Sequence, residues 1–179
     1  MTKYKTIYYL KTGNEIQKRS YKILVQLNIM EYLGDYTPLL TGTIPIGIDI
    51  EGSDLDIICT VRDSQRFEDK ITSEYGNMEG YRVTRNEGNI VINFIFQGME
   101  IELYGVDKPT DKQNAYRHML VEARLLELGE EEFRNEIVRL KKEGIKTEPP
   151  FCKALGVDGN PYENMLDEKL MIKAFKERS

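Results

Sequence analysis

The chain has 179 residues, of which 31% are charged and 40% are hydrophobic, and its formal net charge at neutral pH is −5. This composition is typical of a folded soluble domain and excludes an intrinsically disordered chain. Acidic and basic residues are spread along the whole length without a basic stripe, so nucleic acid is not expected as the main partner.

No apolar segment reaches the length of a membrane span, and the first residues lack the apolar core of a signal peptide. Cysteine occurs only at Cys59 and Cys152, which are far apart and lack the spacing of a metal site. We therefore expect a cytoplasmic protein in a reducing compartment, without a membrane partner.

The first predicted helix begins after Asn14, which can cap it together with Gln17 three residues later. Apolar residues then recur at helical spacing until Gly34, where the helix is expected to end. A short buried strand is predicted from Leu39 to Gly42, ahead of a loop that contains Pro45 and two further glycines.

A second strand is predicted from Leu55 to Val61, followed by a helix that Asp63 caps and Gly76 ends. Three more strands are then expected to form an antiparallel meander. They cover residues 81–85, 90–96 and 99–104, with turns at residues 86–89 and 97–98 between them.

From Asp111 onward the apolar period is helical, which predicts one helix ending near Gly129 and a second with Lys142 in its last turn. Residues 147–150 are expected to be extended, because the residue before a proline avoids the helical region. A last helix is predicted at residues 162–175.

These elements predict an α+β fold with a mixed β-sheet core at residues 36–106. A helical segment at residues 1–35 and a helical C-terminal part at residues 107–179 would pack on this core. We expect all three parts to form one compact domain.

Two carboxylates mark the strongest candidate site, because Asp54 and Asp56 are two residues apart at a strand start and share one face. Like charges on one face repel each other, and a divalent cation would remove that penalty. Glu100 or Glu102 would join them if the two strands are neighbours. Three carboxylates at one sheet edge suit Mg²⁺, and two such ions would bridge a triphosphate; the alternative is a solvated acidic face.

The turn Gly42-Thr43 and the strand start Ser53-Asp54-Leu55-Asp56 together resemble the signature of the nucleotidyltransferase superfamily of the DNA polymerase β type. In that signature a hydrophobic-Gly-Ser turn precedes an Asp-hydrophobic-Asp strand, and a third acid follows on a later strand. A small bacterial nucleotidyltransferase-like family of unknown function is similar over nearly the full length. The strings that carry this similarity lie at residues 10–19, 42–59, 101–105, 113–119 and 140–149.

The resemblance implies a nucleotidyltransferase-like fold and Mg²⁺-dependent transfer of a nucleotidyl group from a nucleoside triphosphate to a hydroxyl of a small molecule or a protein. Two Mg²⁺ ions are implied with the bound triphosphate. The residues implied for catalysis and metal binding are Asp54, Asp56 and Glu102, with Glu100 as the alternative third acid. Those implied for nucleotide binding are Gly42, Thr43, Ser53 and Arg117.

One departure from the family pattern is that Ile44-Pro45-Ile46 stands where a basic residue is usual. The phosphate charge would then be met by Lys11, Lys18, Arg19 or Arg117. His118, the only histidine, is interpreted as structural or surface, with a place at the cleft rim as the alternative. The alternative function is a non-catalytic nucleotide-binding or partner-binding module on the same fold, for example an antitoxin.

Overall fold

A five-stranded mixed β-sheet forms the centre of the protein in a computed structural model, which describes residues 3–144 and 147–178. The strands are β1 (Leu39–Thr41), β2 (Leu55–Thr60), β3 (Glu79–Asn86), β4 (Asn89–Phe96) and β5 (Met99–Val106). Their order across the sheet is β1-β2-β5-β4-β3. β2 and β5 run parallel, and the other neighbouring pairs are antiparallel.

Helices flank the sheet, so the predicted α+β class is confirmed. The α-helices of the described residues are α1 (Glu15–Gln26), α2 (Ile29–Tyr32), α3 (Ser64–Tyr75), α4 (Asn114–Lys142), α5 (Glu148–Leu155), α6 (Pro161–Asn164) and α7 (Glu168–Glu177). Short 3₁₀ helices lie at Lys3–Lys5, Tyr8–Thr12, Gly34–Tyr36 and Thr110–Lys112. Within the described ranges, no helix is both long and apolar enough to cross a membrane.

The apolar side chains form two buried clusters on opposite faces of the sheet. Side chains alternate along a strand, so Ile57 belongs to the first cluster and its neighbour Ile58 to the second. The first cluster packs against α1 and α3, whereas the second packs against α4, α5 and α7. The face that carries Asp56 is therefore the one that α4 covers.

Capping residues set the starts of two helices as predicted. Asn14 and Gln17 form a capping box at α1, with reciprocal side chain to backbone hydrogen bonds of 2.9 and 3.0 Å. Asp63 caps α3 by accepting a hydrogen bond of 3.0 Å from the backbone N–H of Arg66. Both predicted hairpin turns are also confirmed, since β3 pairs with β4 and β4 with β5 across them.

Three helix predictions are wrong. The first helix ends at Gln26 instead of Gly34, because Asn28 adopts a left-handed backbone (φ 50°) and α2 starts behind it. Residues 148–150 are helical and not extended: the two prolines occupy the first turn of α5, where a missing N–H costs no hydrogen bond. The last predicted helix is two helices, with Asp167 capping the second through the N–H of Leu170.

The predicted break near Gly129 corresponds to an interruption within α4. The helix continues from Asn114 to Lys142, but Glu130 has a non-helical backbone (φ 50°, ψ −147°). The two halves of α4 therefore meet at a kink, and both halves pack on the second apolar cluster through residues such as Met119 and Ile137.

Candidate active site

A row of polar side chains crosses the middle of the sheet on the face toward α4. In the strand register, Asp56 lies opposite Glu102 on one side and opposite Thr41 on the other. Glu102 in turn lies opposite Asn93. Four adjacent strands thus each contribute one polar side chain to a single row, and Thr41 and Asn93 are fully buried within it.

A cavity of about 720 Å³ lies over this row, between the sheet, the loop before β2 and α4. Six of the residues predicted from the sequence line it together: Gly42, Thr43, Ser53, Asp54, Asp56 and Glu102. They come from the end of β1, the following loop, β2 and β5, and the parallel pairing of β2 with β5 brings them to one place. The cavity has the size of a small-molecule site.

Burial and neighbouring negative charges disfavour the charged forms of Asp54 and Asp56. Burial raises the pKa of Asp56 to about 8, with the neighbouring charges of Asp54 and Glu102 as further causes. Burial also raises the pKa of Asp54, to which the charge of Glu100 contributes. A site that holds such groups together favours a bound cation, since a cation reverses the effect of the like charges.

Glu100 and Glu102 lie on the same face of β5 but in different surroundings. Arg82 donates a hydrogen bond of 2.5 Å to Glu100, which lines a second cavity on the other side of the loop. The amide of Asn93 donates to both carboxylates at 3.2 Å. Only Glu102 lines the same cavity as Asp54 and Asp56, so the geometry favours it over Glu100 as the third acid.

The turn at Gly42 fits closely against Asp56. Gly42 has a left-handed backbone (φ +83°), and a Cβ at this position would lie 2.1 Å from Asp56 Oδ2. The next residue, Thr43, donates its hydroxyl to Ser53 Oγ at 3.4 Å, and Ser53 Oγ also accepts from the N–H of Ile50 at 3.0 Å. The two hydroxyls predicted to bind the nucleotide are therefore neighbours.

Side chains of α1 and α4 hydrogen-bond to the apolar loop between Gly42 and Ser53. Ile44, Ile46 and Ile48 are buried, so the departure from the family pattern provides core contacts in place of a charge. Their carbonyl oxygens accept hydrogen bonds from side chains of α1 and α4. The bonds run from Gln17 Nε2 to Ile44 O (2.8 Å), from Arg134 Nη1 to Ile46 O (2.5 Å) and from Lys141 Nζ to Ile48 O (2.8 Å).

None of the four cations suggested by the sequence lines this cavity. The structure places Arg117 on the exposed side of α4, one position from His118, which lines the cavity. Lys11 lies over Tyr rings, Lys18 pairs with Glu15 and Arg19 donates to the carbonyl of Gln97. The lysines that line the cavity are Lys108 and Lys141.

The sequence-based prediction did not include Lys141 as a site residue, although its spacing from apolar residues of α4 indicates a buried position. Phe133, Ile137 and Lys141 recur every four residues, which places the lysine within the apolar stripe of α4. Lys141 is only 5% exposed, and burial lowers the pKa of its ammonium. The charges of nearby acids, above all Glu122, act in the opposite direction and raise that pKa. A buried lysine on a helix of this kind calls for an acidic or anionic partner.

Two further acids face the cavity from α4 and α5. Glu122 is 3% exposed, and burial, together with the charge of Glu148, raises its pKa to about 8. His118 lies within 3.1 Å of Glu148 through Nδ1 and within 2.9 Å of the carbonyl of Tyr162 through Nε2. Because a carbonyl only accepts, Nε2 carries a proton, and His118 links three helices as a structural residue would.

The donor chemistry at the sheet fits Mg²⁺, which prefers carboxylate oxygens and retains part of its water shell. Asp54, Asp56 and Glu102 supply such oxygens, and the pKa of Asp56 is raised by burial and further by the charges of Asp54 and Glu102. In the described part of the chain, the observed side-chain positions bring no group of three acidic, histidine or cysteine residues close enough together to hold a metal ion. Mg²⁺ can also be held by one or two carboxylates together with substrate phosphates and water.

The fold is nucleotidyltransferase-like, and similar solved structures show this at the level of the fold. The chain is similar to Cid1, described for its RNA terminal uridylyl transferase activity, with 11% identity, a TM-score of 0.57 and coverage of 86% of this chain and 48% of that one. It is also similar to the polymerase core of TRAMP, an RNA surveillance complex (12% identity, TM-score 0.52, 89% and 50% covered). A third similar structure is the GLD-2/RNP-8 complex (14% identity, TM-score 0.55, 77% and 58% covered).

The chain spans about half the length of these solved proteins. It belongs to the family described as Domain of unknown function (DUF4269), whose model matches residues 22–168. The predicted family of unknown function is thereby confirmed, and the predicted resemblance to the nucleotidyltransferase superfamily is confirmed at the level of the fold. Among curated proteins, none matches the chain significantly.

Proposed function

We propose that the cavity binds a nucleoside triphosphate with Mg²⁺ and transfers a nucleotidyl group to a hydroxyl. The observation that carries this proposal is the place of Asp54, Asp56 and Glu102 on one cavity, next to the turn Gly42-Thr43. Burial raises the pKa of both Asp54 and Asp56, and buried acids of this kind are common at functional sites.

Asp54, Asp56 and Glu102 would hold the metal. When bound, Mg²⁺ would neutralise phosphate charge and stabilise the transition state of in-line displacement. In the reaction, the acceptor oxygen bonds to the α-phosphorus, the bond between the α- and β-phosphates breaks, and pyrophosphate leaves. The hydroxyl proton would pass to a carboxylate, for which Glu102 on β5 is the candidate base.

The phosphates would meet the turn after β1 and the lysine of α4. Gly42 allows the backbone to approach a ligand closely, and the hydroxyls of Thr43 and Ser53 can reorient toward phosphate oxygens. Lys141 uses one N–H for the carbonyl of Ile48, and two more donors remain on its ammonium. We propose Lys141 as the cation that replaces the basic residue absent from the loop.

For the acceptor we propose a small molecule or a protein hydroxyl, and a cytoplasmic setting. The net charge of −5 and the acidic cavity lining do not favour a nucleic-acid backbone as acceptor. Likeness to Cid1, the polymerase core of TRAMP and the GLD-2/RNP-8 complex at 11–14% identity concerns the fold and does not carry an acceptor across.

Calorimetry with ATP, GTP, CTP and UTP, first with Mg²⁺ and then with EDTA, tests the proposal. At least one nucleotide should bind only with Mg²⁺, and the double variant Asp54→Ala/Asp56→Ala should lose that binding. The exposed acids Glu74 and Glu87, changed together to alanine, give a control with the same change of charge. Failure of the wild type to bind any of the four would remove the basis of the proposal.

The non-catalytic module is the second candidate, favoured by the absence of a ready metal-holding group among the described acids. Under this alternative the protein would bind a nucleotide without Mg²⁺ dependence. It would also release no pyrophosphate in the presence of small-molecule and protein hydroxyl acceptors. The same calorimetric series, followed by a pyrophosphate assay, therefore separates the two functions.

A further inference from the structure

The cavity has a second wall, opposite the sheet acids, that the proposed transfer chemistry does not use. We call it the helix-side wall; its residues are His118 and Glu122 of α4 and Glu148 of α5. His118 and Glu122 are one turn apart on α4, His118 contacts Glu148 of α5, and the charges of Glu122, Glu148 and Asp56 all act on Lys141. The wall therefore belongs to the same cavity but lies across it from Asp56 and Glu102.

Glu122 is the unusual member of this wall. It lines the cavity, it is 3% exposed, and it has no hydrogen bond or ion pair with any residue that the structure describes. A buried carboxylate without a donor costs stability, and natural folds normally pair such a group. The carboxyl of Glu122 is thus available to a ligand, and a ligand with a donor would satisfy it.

Lys141 does not fill this role. Its ammonium is directed to the carbonyl of Ile48 at 2.8 Å, and the charge of Glu122 acts on it only at longer range. Glu148 is engaged with His118. Neither neighbour therefore supplies the donor that the carboxyl of Glu122 lacks.

The charge of the whole cavity points to the nature of the missing donor. Of the described lining residues, six are acids and two are lysines: Glu51, Asp54, Asp56, Glu102, Glu122 and Glu148 against Lys108 and Lys141. Even with Asp56 and Glu122 protonated near pH 7, four acids face two lysines. A triphosphate with two Mg²⁺ ions is close to neutral as a whole, so its binding would leave this excess of acid unbalanced. The remaining ligand would then be favoured by a positive charge.

We propose that the helix-side wall is the acceptor subsite and that it recognises an acceptor whose hydroxyl is accompanied by an amino group bound by Glu122. This inference rests on the proposed function and adds the substrate class to it. The amine would donate to Glu122, while the acceptor hydroxyl would lie toward Glu102 across the cavity. A neutral polyol would lack this contact.

The protonation of Glu122 is consistent with such a subsite. With a pKa of about 8, the carboxyl is mostly neutral near pH 7, which lowers the cost of its burial in the free protein. An ammonium group beside it would favour the charged form and create a charge-assisted hydrogen bond. Selectivity for an amine over a hydroxyl would follow from that bond.

The test compares two probes of equal carbon skeleton, 1,3-diamino-2-propanol and glycerol, by titration into the full chain with NMR detection. No nucleotide or metal is present, so the result is independent of nucleotidyl transfer. We expect the diamine to bind more tightly by about tenfold, the value of one charge-assisted hydrogen bond. Equal binding of the two probes would overturn the proposal.

Glu122→Gln should remove the preference for the diamine, because an amide keeps the shape of the side chain but not its charge. Glu51→Gln, at an exposed acid of the same cavity, is the matched control and should keep the preference. A preference that persists in Glu122→Gln, or that is lost in Asp54→Asn instead, would contradict the assignment to the helix-side wall. In the wild type, the ¹³C carboxyl resonance of Glu122 should shift with the diamine, which tests the contact without a variant.

The N–H donors could also come from the edge of a guanine base. The second arm therefore measures Mg²⁺-dependent binding of GTP and ATP to the wild type and to Glu122→Gln. Under the acceptor proposal, both affinities stay within about threefold in the variant, since the base lies elsewhere. A selective loss of GTP affinity would assign Glu122 to the nucleotide and overturn the acceptor subsite while leaving the proposed function intact.

Discussion

Asp56 lies directly opposite Glu102 in the parallel pairing of β2 and β5, so two carboxylates face one cavity from neighbouring strands. Like charges opposite each other destabilise a sheet, and Asp54 adds a third negative charge beside them. These acids therefore lower the stability of the folded protein at this point of the sheet.

We predict that the free energy of unfolding of the metal-free protein falls as the pH rises from about 5 to 8. Asp56 and Glu122 keep a proton in the folded state up to a pKa of about 8, whereas in the unfolded chain they lose it near pH 4. Between these values the folded state binds more protons, so raising the pH favours unfolding, by at most about 1.4 kcal/mol per pH unit for each group.

Urea denaturation in EDTA across this pH range measures the effect. Asp56→Asn and Glu122→Gln should each reduce the slope, while Glu74→Gln, at an exposed acid, should leave it unchanged. A wild-type slope retained in both buried variants would show that these two carboxyls do not hold their protons as the structure implies.

The second prediction concerns the turn after β1. Gly42→Ala should destabilise the protein by more than about 2 kcal/mol, because the new Cβ meets Asp56 Oδ2 at 2.1 Å and the backbone is left-handed. Gly52→Ala is the control: Gly52 has φ +84° but a Cβ there meets nothing, so only the backbone strain of about 1 kcal/mol is expected. Thermal unfolding of both variants tests this, and equal losses would contradict the close fit against Asp56.

The third prediction uses two neighbouring lysines with opposite exposure. Lys141→Met should weaken binding of Mg²⁺ and triphosphate by about tenfold or more but leave binding of the nucleoside alone unchanged, because the lost group faces phosphate charge. Lys142→Met removes an exposed lysine next to it and should change neither affinity. Calorimetry with each ligand provides the comparison, and equal effects of the two changes would exclude a specific role for Lys141.

The fourth prediction separates the two glutamates of β5. Glu102→Gln should lower the rate of Mg²⁺-dependent pyrophosphate release by about a hundredfold or more, as expected for loss of a general base or metal ligand. Glu100→Gln should retain most of the rate, since Glu100 is bound to Arg82 and lies outside the cavity that Asp54 and Asp56 line. The reverse order of effects would make Glu100 the third acid.

Local signals in the sequence predicted much of the fold and the sheet side of the site. Asn14 and Asp63 fix helix starts through caps, and the alternation along β2 places Asp54 and Asp56 toward one face. Their meeting with Glu102 depends on which strands are neighbours, and the family resemblance, more than the residues themselves, implied that pairing.

The helix side of the site could not be predicted in the same way. Lys141 and Glu122 belong to α4, about 85 and 66 residues after Asp56, and helical spacing alone does not tell a residue facing a cavity from one facing the core. The prolines of α5 also misled the prediction, because their effect depends on whether they lie in the first turn or later. Contacts between distant segments decide both cases.

The hydrogen bonds from Gln17, Arg134 and Lys141 to the loop after Gly42 have a consequence for synthesis and assembly. The loop is bound by Gln17 of α1 and Arg134 of α4, which are more than a hundred residues apart in the chain. Its shape therefore depends on contacts that span up to 93 residues of the chain, which form late because closing a long loop is slow. During translation the nascent β-sheet can be complete while the cavity has no fixed form, so a ligand cannot be captured before α4 has left the ribosome.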